Sequence, residues 1–202
     1  MALAALKEEL EVWDSALRAF DAKDYETALA TFESFSDTSK IVTNIGLIRV
    51  LQGEYELATK SFSDAIELDK FLAIAYAFFQ RGVCHLHLKL FEKASEDFGE
   101  TQIKLRGNTY INYEELGLSF MLHSAEVLFN RAKALVHTGR KEEGATYLQR
   151  AISACSEERH ARIKDASATS IEDMEPFAVV SFLSRMVPPF FLLSPRLTDG
   201  YL

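Results

Sequence analysis

Five histidines and two cysteines are the residues best suited to metal or nucleophilic chemistry in this chain. His85 and His87 stand two apart in a helical pattern, so their side chains leave different faces and cannot chelate one metal. His123, His137 and His160 have no patterned partners, and Cys84 and Cys155 lie far apart in no metal or redox spacing. Both cysteines fall in apolar helical stretches, where buried, reduced thiols are expected. No Ser/His/Asp arrangement or phosphate-loop signature occurs, and the acidic residues scatter as solvated helix faces do. The expectation is a non-catalytic chain with neither metal nor cofactor. Recognition chemistry remains. Residues 104–118, KLRGNTYINYEELGL, set Arg106, Asn108 and Asn112 beside Tyr110 and Tyr113, side chains suited to polar contact with another protein.

The chain of 202 residues is 48% hydrophobic and 26% charged, in the range of folded domains and too apolar for disorder. Its net charge of −8 argues against nucleic acid, whose phosphates need a basic face, and against anionic membranes. The opening MALAALKEELEVW has acidic residues directly after a short apolar run, unlike a signal or transit peptide. No stretch reaches the roughly 18 apolar residues of a membrane span. A cytoplasmic protein with no direct membrane insertion is expected. All four prolines, Pro176, Pro188, Pro189 and Pro195, fall in the last 27 residues, which marks the tail as a different segment.

The elements that hold the recognition run are helical and repeated. KDYETALATF (23–32), GEYELATKSF (53–62) and KLFEKASEDF (89–98) share an aromatic residue, then a small one, then Phe32, Phe62 or Phe98. GRKEEGATYL (139–148) is a weaker fourth copy, with Gly144 and Leu148 at the equivalent places. A second small residue, Ala16, Gly46, Gly82 or Ala132, precedes Ala28, Ala58, Ala94 or Gly144 by 12 positions in every copy. Paired antiparallel helices that cross where only Ala or Gly fits explain this spacing. The pattern resembles the tetratricopeptide repeat, of period about 34. It implies an all-α, right-handed superhelix of four repeats, about 9–37, 39–70, 75–105 and 124–155. A capping helix over 156–171, N-capped by Ser156, completes a domain of residues 1–173, with an extended apolar tail over 174–202.

The intervals between equivalent small residues are 30, 36 and 50. The last exceeds the period by about 16, and the excess falls at 106–122, between the third and fourth repeats. Gly107 and Asn108 suit positive backbone dihedrals, and residues 110–113 alternate like a short strand. Glu114, Glu115 and Leu116 read as a fresh helix start running into the fourth repeat. Insertions in repeat arrays map to loops on one face, often a binding face.

LRGNTYINYEELGL between the third and fourth repeats resembles the cytosolic activator subunits of superoxide-generating NADPH oxidases, closer to the fungal NoxR regulators than to the phagocyte factor. SKIVTNIG (39–46), LDKFLAIAY (68–76), FQRG (79–82), SAEVLFN (124–130), SEERHARIKD (156–165) and MEPFAVV (174–180) extend the match in order. The resemblance implies an interaction domain whose inserted loop, with neighbouring inter-repeat loops, binds the GTP-loaded form of a Rac-type small GTPase. It implies recruitment to a membrane oxidase through such partners. Carried over by position, Arg106 and Asn108 match the family's contacts, as do Ser39 and Asp69. Phe71, Tyr110 and Asn112 occupy contact positions where the phagocyte protein has His, Leu and Asp.

The resemblance also implies that an extended segment after the repeats folds back into the concave groove. SFLSRMVPPFFLLSPRL, beyond MEPFAVV, does not match the family's segment leading to its activating residues. The alternative reading is a peptide-binding scaffold or co-chaperone. Such a protein presents Lys, Arg and Asn to its groove, where this chain has Trp13, Leu17, Leu47, Tyr76 and Val83, with Asn44 the one polar match.

Overall fold

In a computed structural model that describes residues 2–35, 38–68, 74–113, 120–167 and 169–178, the repeated positions mark helix starts and helix crossings. The aromatic residue opens α2 (Tyr25–Glu33), α4 (Tyr55–Leu68) and α6 (Phe91–Leu105), and Lys141 opens α8 (Lys141–Ser153). The upstream small residues lie in the helices before them, α1 (Ala2–Asp21), α3 (Ser39–Leu51), α5 (Ile74–His87) and α7 (Ser124–His137). Each pair is an antiparallel hairpin, and the pairs stack in chain order.

The crossing explains the small residues. A Cβ on Gly46 would meet the Phe62 ring at 2.8 Å, and one on Gly82 would meet the Phe98 ring at 2.8 Å. Phe32, Phe62 and Phe98 are fully buried, as are Ala28, Ala58 and Ala94 one helical turn before them. Phe62 and Phe98 thus lie close against the backbone of the partner helix. In the fourth pair the close approach is reversed, with Gly144 against Val136.

The turn inside each pair is equally regular. Lys23, Gly53, Lys89 and Gly139 all have positive φ, and each stands seven residues after its small residue. The following N–H closes back on the helix, Asp24 to Ala19 O at 2.9 Å, Glu54 to Arg49 O at 2.9 Å, Leu90 to His85 O at 2.8 Å and Arg140 to Leu135 O at 3.0 Å. These left-handed closures satisfy carbonyls that a helix end otherwise leaves open.

Polar side chains lock neighbouring pairs together. Buried Asp97 accepts a fork from Arg81, with Nη2 at 2.6 Å, and contacts His85 Nδ1 at 2.8 Å. Arg81 also reaches Ser63 on α4 at 3.0 Å, so one residue ties three helices. His87 stacks on Tyr55 and His137 stacks on Phe91, each with ring centroids 4.3 Å apart. The two histidines that looked unrelated therefore hold the same repeat position. Cys84 is buried, and burial pushes its thiol up to about 12. Cys155 lies just past α8 and is only half-buried.

The insertion departs from the expected helix. Arg106 and Gly107, rather than Gly107 and Asn108, take the positive dihedrals (φ 51° and 81°). The chain then forms an antiparallel hairpin of β1 (Tyr110–Asn112) and β2 (Met121–His123), pairing Tyr110 with His123, Ile111 with Leu122 and Asn112 with Met121. No helix runs into the fourth repeat from Leu116: residues 120–123 are extended and α7 begins at Ser124. The anticipated single helix over 156–171 is also replaced. A 3-10 turn (Glu158–His160) leads into the four-residue α9 (Ala161–Lys164), and turns follow. Its cap is Glu157 instead of Ser156, and the Glu157 N–H donates to His160 Nδ1 at 3.3 Å.

A candidate partner-docking edge

Because helices alternate in direction, the ends of α2, α4 and α6 and the starts of α3, α5 and α7 lie on the same edge of the array. The start of α3 and the end of α6 lie there, with the hairpin attached. Side chains on a strand alternate between faces, so the register assigns each hairpin residue a side. Ile111, Tyr113, Phe120 and Leu122 turn inward, and all but the half-buried Ile111 are buried. Tyr113 and Phe120 lie 5.6 and 5.7 Å from the Tyr76 ring of α5, and the Tyr113 N–H donates to Phe120 O at 3.0 Å. At the other end the Ser124 N–H donates to Thr109 O at 2.8 Å.

The opposite face is the outer one. Tyr110 is 49% exposed, and Asn112 is exposed beside it. Arg106 and Asn108 are also exposed, and the Asn108 N–H donates to Leu105 O at 2.9 Å, closing the turn after α6. Four of the seven residues singled out in the sequence thus follow one another along one outward ribbon. Ser39 is different. It is buried, and its hydroxyl donates to Ala65 O at 2.9 Å, which fastens the start of α3 to α4. Asp69 and Phe71 lie outside the described residues.

The outer face of β2 is covered rather than open, by side chains that the sequence did not single out. Arg159 Nη2 donates to Met121 O at 3.3 Å and pairs with buried Glu126 at 3.1 Å. His160, fully buried, contacts Glu126 through Nε2 at 3.5 Å and meets His123 edge-on at 5.1 Å. The cap turn therefore clamps the hairpin to α7.

The groove positions named above are core positions except Leu17, which is half-buried. Trp13, Leu47, Tyr76, Val83 and Asn44 are all buried. Residues 171–178 lie along α7, where Asn130 makes two bonds to the Phe177 backbone at 2.8 and 2.9 Å. Lys133 donates to the Ile171 carbonyl at 3.1 Å and to the Glu172 carbonyl. The Arg162 guanidinium sits 3.7 Å over the Phe177 ring. Met174 to Ala178 share a cavity with Val50, Tyr55, Val83 and His87, so the start of the tail enters the concave side. Residues 179–202 lie outside the described residues.

Stacked helical pairs that carry Ala or Gly where they cross, with a left-handed closure in each copy, make this an array of tetratricopeptide repeats. The tetratricopeptide repeat family model matches residues 39–71 and 125–158, the second and fourth pairs. The structure of YrrB, a TPR protein with an unusual peptide-binding site, superposes with a TM-score of 0.59 at 16% identity. That match covers 81% of this chain and 73% of YrrB, and it bears on the fold alone.

Curated relatives narrow the class. The chain is 36% identical over 163 residues to neutrophil cytosol factor 2 of Bos taurus, covering 80% of this chain and 31% of that protein. It is 32% identical over 152 residues to NADPH oxidase activator 1 of Rattus norvegicus, covering 75% of this chain and 34% of that protein. The chain thus spans about a third of the length of these relatives. Among the described residues, no helix is long and apolar enough to cross a membrane.

Proposed function

We propose that this chain is a non-catalytic docking domain of a superoxide-generating NADPH oxidase system. It binds the GTP-loaded form of a Rac-type small GTPase and is recruited from the cytoplasm to the membrane oxidase through its partners. The observation that supports this most is the outward ribbon of Arg106, Asn108, Tyr110 and Asn112 on a hairpin whose second strand the cap turn fastens to α7. A rigid edge rich in polar and aromatic side chains loses little entropy on binding. Arg106 offers a planar fork for carbonyl or carboxylate groups, and Asn108 and Asn112 both donate and accept. Asp69 and Phe71 complete the proposed contact set by the positions they hold in the sequence. Ser39 contributes by shaping the start of α3, since its hydroxyl is already engaged.

Arg106→Glu tests the assignment. The variant should weaken capture of the GTP-loaded GTPase by roughly thirtyfold, about 2 kcal/mol, with an unchanged helical circular dichroism spectrum. Undiminished binding would remove the hairpin from the interface. The peptide-scaffold alternative is disfavoured because its groove positions are buried or half-buried and the concave side already receives residues 174–178.

A further inference from the structure

His123 has no evident reason to be a histidine. It closes β2 and immediately precedes α7, its ring is 2% exposed, and neither ring nitrogen has a hydrogen-bond partner. The ring lies between Tyr110, its ladder partner at 5.7 Å, and His160 at 5.1 Å. A buried, unbonded imidazole leaves a donor unsatisfied, a cost that a phenyl ring of similar shape would not carry.

We propose that His123 is a positioning residue for Tyr110, and that it makes the outer end of the hairpin responsive to pH. Its neutral ring lets β1 seat against the cap turn, and its protonated ring unseats it. The proposal rests on the docking reading only in linking hairpin seating to GTPase affinity.

The surroundings explain why the charged ring is not accommodated. Tyr110 faces it from β1, Glu126 from α7, and Glu157, Arg159 and His160 from the cap turn. Glu126 is the main source of compensation, but its carboxylate already holds Arg159 at 3.1 Å and His160 at 3.5 Å. Arg159 brings a positive charge close by. The N-terminus of α7, directly after His123, is the positive end of that helix's dipole. Burial adds the largest contribution and lowers the ring's pKa below the ordinary histidine value.

The sign follows directly. An unseated ring titrates near the usual value of about 6.5, and the seated ring titrates lower. The seated state is therefore fully favoured above about pH 6.5 and loses ground as pH falls below it. The hairpin should open from one end. The Thr109–Ser124 bond and the Tyr110–His123 pair adjoin the titrating ring, whereas Tyr113 and Phe120 are anchored on Tyr76.

The test compares the chain with His123→Phe, which keeps a flat ring and removes titration, and with His123→Leu as a second non-titrating variant should Phe not fold. Amide exchange protection is measured for Ser124 and Tyr113 at pH 7.5 and 5.5, alongside affinity for a GTP-loaded Rac-type GTPase. In the native chain, Ser124 protection should fall on acidification by up to about tenfold, the limit for a group of ordinary pKa 6.5. Tyr113 protection should hold, and the non-titrating variant should show no fall at Ser124. A pH-independent Ser124 in the native chain, or an equal fall in the variant, would overturn the proposal. If the exchange results are as expected but the GTPase binds at neither pH, the positioning role stands and the docking reading fails.

Discussion

At the crossing of α5 and α6, Phe98 lies against bare backbone at Gly82, and the same arrangement recurs at Gly46 and Phe62. At the hairpin nothing recurs. Strand β2 is held by Glu126 in the first turn of α7 and by Arg159 and His160 of the cap turn, each used once. The first region is specified by a steric rule that the copies share, reversed in the fourth pair, and neighbouring copies support one another. The second is specified by single contacts with no substitute elsewhere. Damage should therefore spread in the repeats and stay local at the hairpin.

Phe98→Ala is the severest test of the first half of that contrast. It should cost about 3–5 kcal/mol, the usual toll for emptying a buried phenyl site, read from chemical denaturation. A loss confined to amides of α5 and α6, with the rest of the array intact, would contradict the mutual support described. Arg159→Ala addresses the second half. It should cost about 1–3 kcal/mol by leaving Glu126 and the Met121 carbonyl short of a donor. Exchange protection should drop in β1 and β2 while α3 to α6 keep theirs. The smallest effect should come from Lys89→Gly. Lys89 holds the left-handed turn position that Gly53 and Gly139 fill elsewhere, so glycine should raise stability by about 1 kcal/mol. A destabilised variant would show that the closures are not equivalent across copies.

The legibility of the two regions differs for the same reason. The repeats could be read because aromatic and small residues return at fixed intervals, and each copy corrects the reading of the others. Residues 110–112 were legible as a strand through their alternation. Strand β2 was not. Phe120 and Leu122 alternate for too few residues before the apolar pattern of α7 takes over. The true helix start is hidden because His123 offers no side-chain cap bond. The cap was overextended because Ser156 and two glutamates signalled a start, and nothing in the local pattern placed the end at Lys164. His87 and His137 share a repeat position visible by counting from Gly82 and Ala132. The meeting of His123 with His160 depends on the folded path between them, and no spacing encodes it.

The bond between the Ser124 N–H and Thr109 O brings the two ends of the insertion together. The chain therefore leaves the array at Thr109 and rejoins it at Ser124 across a single hydrogen bond, with only the inward side chains of the hairpin entering the core. The hairpin is therefore a cassette. Its length and outer residues can be exchanged without altering how the third and fourth repeats pack, so partner choice can change while the array that carries it stays the same.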